Sequence, residues 1–317
     1  MNWIDRIMAE PELRAAPPVL VDIGAAGGAH PAWRRIARHA IGIGFEPDPR
    51  EAPPAGPAQR MFARWIFCPG LAVPRPTADG SHPLHLTASP QCSSTLRPRP
   101  AVLGDWAFAD FFAVTETRTF PATTIEAALA REGIGRVDWL KCDTQGLDAQ
   151  LFLSLPAAWR ARVLAVEFEP GLIDAYEGED KLAEVLTAMS REPFWLSELR
   201  VGRTPRGRPD LLAGRLGPRG VAWMRRLAPA APAWANARFL RDVTLAPDSL
   251  DRREFLLAWV FATITGQHGQ ALTIAETGAR RFGDRLFPAM AGSSVRRLRW
   301  AMVRGLPRAL WRRLTRE

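Results

Sequence analysis

Short apolar runs, each closed by glycine, proline or an acid, recur along the first 245 positions and alternate with stretches of helical period. Val19-Leu-Val-Asp-Ile-Gly-Ala25 reads as a buried strand that runs into a small-residue turn from Gly24 to Gly28. Ala32 to His39 reads as a helix and Ala40 to Glu46 as a second strand. A strand, turn, helix and strand in that order predict a βαβ unit and a parallel sheet. Further strands are expected at Met61 to Phe67, Leu84 to Thr87, Thr117 to Pro121, Val137 to Leu140, Arg162 to Pro170, Phe194 to Leu199 and Ala237 to Asp242. Helices are expected over residues 2 to 10, Ile125 to Glu132 behind a Thr123 or Thr124 cap, Leu147 to Leu155, and Asp180 to Arg191. Arg200 to Arg226, rich in Arg, Gly and Pro, reads as a long loop or hairpin connection. Beyond Pro247 only helical patterns remain: Asp251 to Ile264, Gln267 to Phe282 and Ser293 to Thr315. The expected organisation is an α/β, doubly wound domain over residues 1–245 with a C-terminal helical extension over residues 246–317.

The most informative stretch is Val137 to Asp148. Its apolar start is broken by Asp143, Thr144, Gln145 and Gly146. In an open parallel sheet, ligands sit just beyond the carboxyl ends of the strands. An acid, an amide and a glycine at such a tip suit a site better than a core.

The first turn differs from a dinucleotide fingerprint. Starting at Gly24, the second and third glycine slots of G-x-G-x-x-G fall on Ala26 and Ala29. Asp22 precedes the turn, where a carboxylate would repel a pyrophosphate and attract a ligand carrying an ammonium and a sulfonium. S-adenosylmethionine is such a ligand. Gly24 and Gly28 would let the backbone approach it, with Ala25 between them. Glu46 closes the second strand roughly 20 residues on, where an acid can accept both hydroxyls of an adenosine ribose. Asp48 follows it and joins the expected cofactor set. A tight turn with two solvated acids is the plainer account of these positions. For the hydroxyl-dense loop Ala88 to Thr95, which holds Ser93 and Ser94, backbone capping competes with contact to a polar substrate.

Composition narrows the classes. The chain has 317 residues, 47% of them hydrophobic, and a net charge of +9. The cations are almost all arginine, Lys141 and Lys181 being the only lysines. Positive charge argues about anionic partners, not about fold. Cys68, Cys92 and Cys142 have no metal-ligand spacing, and an odd number without a framework suggests a reducing compartment. The start, Met1-Asn-Trp-Ile-Asp-Arg6, lacks a basic segment followed by an apolar one, and no apolar run is long enough to span a bilayer. The chain is therefore expected in the cytoplasm. Residues 293–317 interleave arginines with Leu298, Trp300, Met302, Val303, Leu306, Leu310 and Trp311, which suits peripheral contact with the anionic inner face of the membrane. Packing of the apolar face on the domain is the preferred reading, with membrane contact the alternative, and Gly305 with Pro307 predicts a kink.

With Asp22 to Gly28, Gly44-Phe-Glu-Pro47, Ser93-Ser94, Thr124-Ile-Glu126 and Lys141-Cys-Asp-Thr-Gln-Gly-Leu-Asp148, the chain resembles the FkbM family of S-adenosylmethionine-dependent methyltransferases over roughly residues 17–200. Val166 to Phe168 and Tyr176-Glu-Gly178 continue the resemblance. Two positions depart from it: Asp148 stands where a glutamate is usual, and Ala26 where an asparagine is. The resemblance implies a class I methyltransferase, Rossmann-like fold and O-methylation of a hydroxyl on a sugar, glycan or natural product.

Such a transfer needs alignment of two reacting atoms and removal of a proton from the acceptor. Asp143 is the first candidate for the base or orienting group and also faces the cofactor. Lys141 lies on the same side of the strand and would hold Asp143 ionised; a structural ion pair is the alternative. Glu167 and Glu169 follow as second choices. Gln145 and Asp148 join Ser93 and Ser94 as expected substrate contacts, although Asp148 also suits the first turn of a helix. Paired acids at Asp143 and Glu167 would suit magnesium, but no spacing demands a metal. Nucleic-acid methylation is disfavoured, because the turn after the fourth strand is Asp143-Thr-Gln-Gly146 and no lysine precedes Lys141. A non-catalytic methyltransferase-like module binding glycan or membrane is the competing class.

Overall fold

The computed structural model describes residues 3–25, 30–51, 56 and 59–314, and the side chains of these up to residue 305. The chain divides into two compact units, Pro18–Leu240 and Met1–Pro17 with Arg241–Glu317.

The larger unit is mixed α/β. Its strands are β1 (Val19–Ile23), β2 (Ile41–Phe45), β3 (Arg64–Cys68), β4 (Leu71–Ala72), β5 (Ser81–Thr87), β6 (Val114–Thr123), β7 (Trp139–Cys142), β8 (Ala165–Phe168), β9 (Phe194–Thr204) and β10 (Ala231–Arg241). Seven of them form a mostly parallel sheet in the order β3-β2-β1-β7-β8-β10-β9, compatible with a Rossmann-like fold. β1 pairs in parallel with β2 and β7, and β8 with β7, whereas β10 runs antiparallel to β8. β4, β6 and β5 make a separate three-stranded sheet. β1 is buried along its whole length, as expected of a parallel strand covered on both faces. Its Val19, Val21 and Ile23 join Leu140, Phe152, Val166 and Phe168 in the main core.

Local chemistry sets the element ends. Thr124 caps the helix Ile125–Arg131 by accepting from the Ala127 amide at 3.1 Å. Two expectations are corrected. The segment read as a helix from Ala32 to His39 forms two short 3₁₀ turns, Pro31–Arg35 and Ala37–His39. Arg200 to Arg226 is no loop: β9 extends to Thr204, and a helix runs Pro209–Leu227 with a kink at Gly217, whose φ is 65°. Pro218 follows that glycine, so the break sits where a helical amide is missing anyway.

The second unit is all helical. Arg252–Ile264 begins with a capping box in which Asp251 and Glu254 satisfy each other's amides. It is buried on nearly every side, the pattern of a central helix. The N-terminal helices Trp3–Met8 and Pro11–Ala15 belong here and not with residues 18–245. Arg252 explains the grouping: it reaches Glu10, Glu12 and Asp284 at 3.0, 2.6 and 2.8 Å. The last helix, Leu286–Leu314, starts seven residues earlier than the apolar pattern suggests and runs unbroken through Gly305 and Pro307. Its start is core, with Phe287 and Met290 buried. Among the described residues no helix is long and apolar enough to cross a membrane.

Candidate functional site

A row of alternating charge crosses the main sheet. By register Asp22 lies beside Lys141, Lys141 beside Glu167, and Glu167 beside Arg238. Lys141 Nζ is 2.8 Å from Asp22 Oδ1, Arg238 Nε is 3.2 Å from Glu167 Oε1, and Arg238 Nη1 is 2.8 Å from Glu198 Oε2. Trp139 Nε1 donates to Glu167 at 3.0 Å. Burial pushes Asp22 up to about 6 against the pull of Lys141. Burial also works against the charge of Lys141, but Asp22 and Asp143 outweigh it and leave the lysine raised. Two expectations change. Asp22 meets Lys141 instead of facing the cavity, and Glu167 is bound into the row away from the cavity.

The tips of β1, β2, β7 and β8 open on a cavity of about 640 Å³, within the span of small-molecule sites. Asp143 stands just past β7, with Lys141 Nζ 3.9 Å away. Gln145 donates to Asp143 Oδ1 at 2.9 Å while its backbone holds φ 57°, a left-handed conformation that costs a non-glycine residue energy. Ser94 holds this turn by donating to the Gln145 carbonyl at 2.9 Å, and Tyr176 Oη lies 3.3 Å from Gln145 Oε1. Asp148 braces it from behind. The Asp148 carboxylate accepts from the Thr144 amide and hydroxyl at 3.0 and 2.6 Å and from the Glu169 amide at 2.6 Å. Asp148 and Ser94 are each 1% exposed and off the cavity wall, so they are turn supports and not substrate contacts.

Glu169, one residue beyond β8, is the carboxylate that faces the cavity on this side. Burial and then Asp143, to which it is hydrogen-bonded, push it up to about 9. Burial and the neighbouring Asp143 carboxyl thus both favour the protonated form of Glu169. Asn236 Nδ2 donates to Glu169 at 3.2 Å.

At the tip of β2, Glu46 accepts from the Asp48 amide at 2.9 Å and is 6% exposed. Burial raises it to about 7, and no cation is among the groups that shift it. Asp48, by contrast, is gripped by Arg50, whose Nη2 is 2.5 Å away. The same guanidinium donates to the Thr87 carbonyl and to Ser93 Oγ at 2.9 and 3.1 Å. Asp48 and Ser93 line the cavity as a fixed wall, with their hydrogen-bonding taken up by Arg50.

Of the expected residues, Gly24, Glu46, Asp48, Ser93, Lys141, Asp143 and Gln145 line this one cavity. Ala25 is buried, its amide bonded to the Phe45 carbonyl at 3.0 Å, and is not on the wall. Gly28, and Ala26 beside it, lie outside the described residues. The other half of the cavity was not legible as a site. It is walled by Phe108, Phe111, Phe112, Tyr176 and Trp234, with Arg203 and Arg225. Tyr176 carried a signal through the family resemblance, and Arg203 through the arginine-rich stretch Arg200 to Arg226, which could also be read as an anion-facing flap. Among the described residues no group of three or more His, Cys, Asp or Glu is arranged to hold a metal ion.

No protein-family model matches the chain, and neither a curated protein nor a solved structure does.

Proposed function

We propose that the chain is an S-adenosylmethionine-dependent O-methyltransferase acting on a hydroxyl of a sugar, glycan or natural product. The observation that carries the reading is the pairing of Gly24 and Glu46 at neighbouring strand tips of one cavity, with Asp143 on the next strand. Glu46 fits the cofactor: it is buried, forms no ion pair with a cation among the described residues, and keeps an oxygen that can accept from a ribose diol. Gly24 supplies the close backbone approach. The sheet order is compatible with the class I methyltransferase fold that the resemblance implies. Its antiparallel β10 departs from the six-stranded dinucleotide-binding order.

When bound, the cofactor supplies an electrophilic methyl group on a sulfonium. The residues of the chain do the rest. Asp143 takes the proton of the acceptor hydroxyl, with the Glu169 carboxyl hydrogen-bonded beside it. Gln145 fixes the position of Asp143. The aromatic wall offers flat apolar faces on which a sugar ring or a polyketide can lie, excluding water from the reaction. The test is transfer of a labelled methyl group to a panel of hydroxyl acceptors. Labelling by the wild type and none by Asp143→Ala supports the proposal. No labelling by wild type, together with no binding of S-adenosylhomocysteine, overturns it.

A further inference from the structure

The helix Pro209–Leu227 buries none of its residues. Helices in a folded chain earn their place by covering an apolar face, yet Leu211, Leu216, Trp223 and Leu227 are 59, 48, 68 and 71% exposed. Trp223 and Leu227 are one helical turn apart, on the same side. Arg219 lies a turn before Trp223, and Arg226 nearly a turn after it, and both are exposed. The helix holds four arginines, including Arg215 and Arg225, against the single acid Asp210. A tryptophan and leucines flanked by arginines on an unpacked helix have the composition of a segment that lies in the plane of a lipid headgroup layer. The kink at Gly217 and Pro218 lets its two halves follow such a surface separately.

We propose that Pro209–Leu227 docks on an anionic lipid bilayer. Charge chooses this occupant: a second copy of a chain of charge +9 would bring the same arginines face to face, whereas anionic headgroups neutralise them. The docked helix also borders the cavity, because Arg225, on the side of the helix away from Trp223, stacks 5.0 Å over the half-exposed ring of Phe111, and both line the cavity. This assignment stands apart from the methyl-transfer proposal and differs from contact through the C-terminal tail.

The test is sedimentation of the full chain with phosphatidylcholine vesicles and with phosphatidylcholine/phosphatidylglycerol vesicles. The expected result is binding to the anionic vesicles alone, weakened by salt. Trp223→Ser with Leu227→Ser is expected to lower the partition at least about tenfold. Arg219→Glu with Arg226→Glu should lower it about fivefold or more for each residue changed. Trp300→Ser with Met302→Ser, on the equally exposed tail, is expected to leave it unchanged. All these positions are on the surface, so folding is kept. Failure of the wild type to bind anionic vesicles overturns the proposal. So does loss of binding in the tail variant but not the helix variants, or a concentration-dependent dimer that Trp223→Ser dissolves.

Discussion

A β-carbon on Gly24 would stand 2.2 Å from the carbonyl oxygen of Asp143. The turn after β1 is thus seated directly on the tip of β7, and only a residue without a side chain permits the contact. The Gly24 φ of 76° demands glycine for a second, independent reason. Gly24→Ala is expected to cost about 2–5 kcal/mol, from left-handed strain and displaced backbone together. Urea unfolding measures this; a loss under 1 kcal/mol would mean the two turns are not in contact.

Glu46 sets a pH dependence. With its carboxyl raised to about 7 in the free protein and a ribose diol favouring the ionised form, binding must expel the proton. Affinity for S-adenosylhomocysteine is therefore expected to rise about tenfold from pH 6 to pH 8. Glu46→Gln should abolish the slope. An unchanged slope in that variant would assign the proton to another group.

Glu169 and Glu167 separate catalysis from structure. Glu169→Gln, like Asp143→Asn, is expected to slow methyl transfer by about 10²–10⁴ with little change in cofactor affinity. Glu167→Gln breaks the charge row beside Arg238 and Lys141, and should cost about 1–3 kcal/mol of stability while leaving turnover within about threefold. The reverse pattern would return the base to Glu167.

Asp148 holds three donors that its loss would leave without an acceptor. Asp148→Ala is expected to destabilise by about 2–4 kcal/mol. Asp148→Glu, the residue usual in the FkbM family, adds a methylene to a site only 1% exposed and should still cost about 1–3 kcal/mol. Thermal unfolding compares the two; a stabilised glutamate variant would show that the site has room to spare.

Several buried acids have raised values: Asp22 and Asp148 to about 6, and Glu46 and Glu179 to about 7, each chiefly by burial. An acid raised on folding binds more protons in the native state than in the unfolded one. Its contribution is fully present below its ordinary value and is lost as pH climbs through the raised one. The ligand-free protein is expected to lose thermal stability between about pH 4 and pH 7, by about 2–4 °C for each kcal/mol involved. A melting temperature that climbs over that window would contradict the burial of these groups.

The parallel strands were legible because they are apolar on both faces and end in conspicuous residues: Asp22-Ile-Gly24, Phe45-Glu46 and Cys142-Asp143. The tip positions of Glu46 and Asp143 followed from that. Pattern alone could not separate Glu167 from Glu169, which alternate to the same face; a single residue past the end of β8 decides which one reaches the cavity. The helix Pro209–Leu227 was hidden by Gly214, Gly217, Pro218 and Gly220, which read as a loop, and by the absence of a buried face to create a period. Long-range partners such as Arg50 for Ser93 and for the Thr87 carbonyl have no sequence signal beyond their types.

The most direct test of the central proposal is calorimetric titration with S-adenosylhomocysteine, with NADH as control, on the wild type and Glu46→Gln. Micromolar binding of S-adenosylhomocysteine alone, weakened about tenfold or more in the variant, is the expected result. Equal affinity in both proteins, or binding of NADH in its place, would contradict the proposed role of Glu46 and with it the methyltransferase reading.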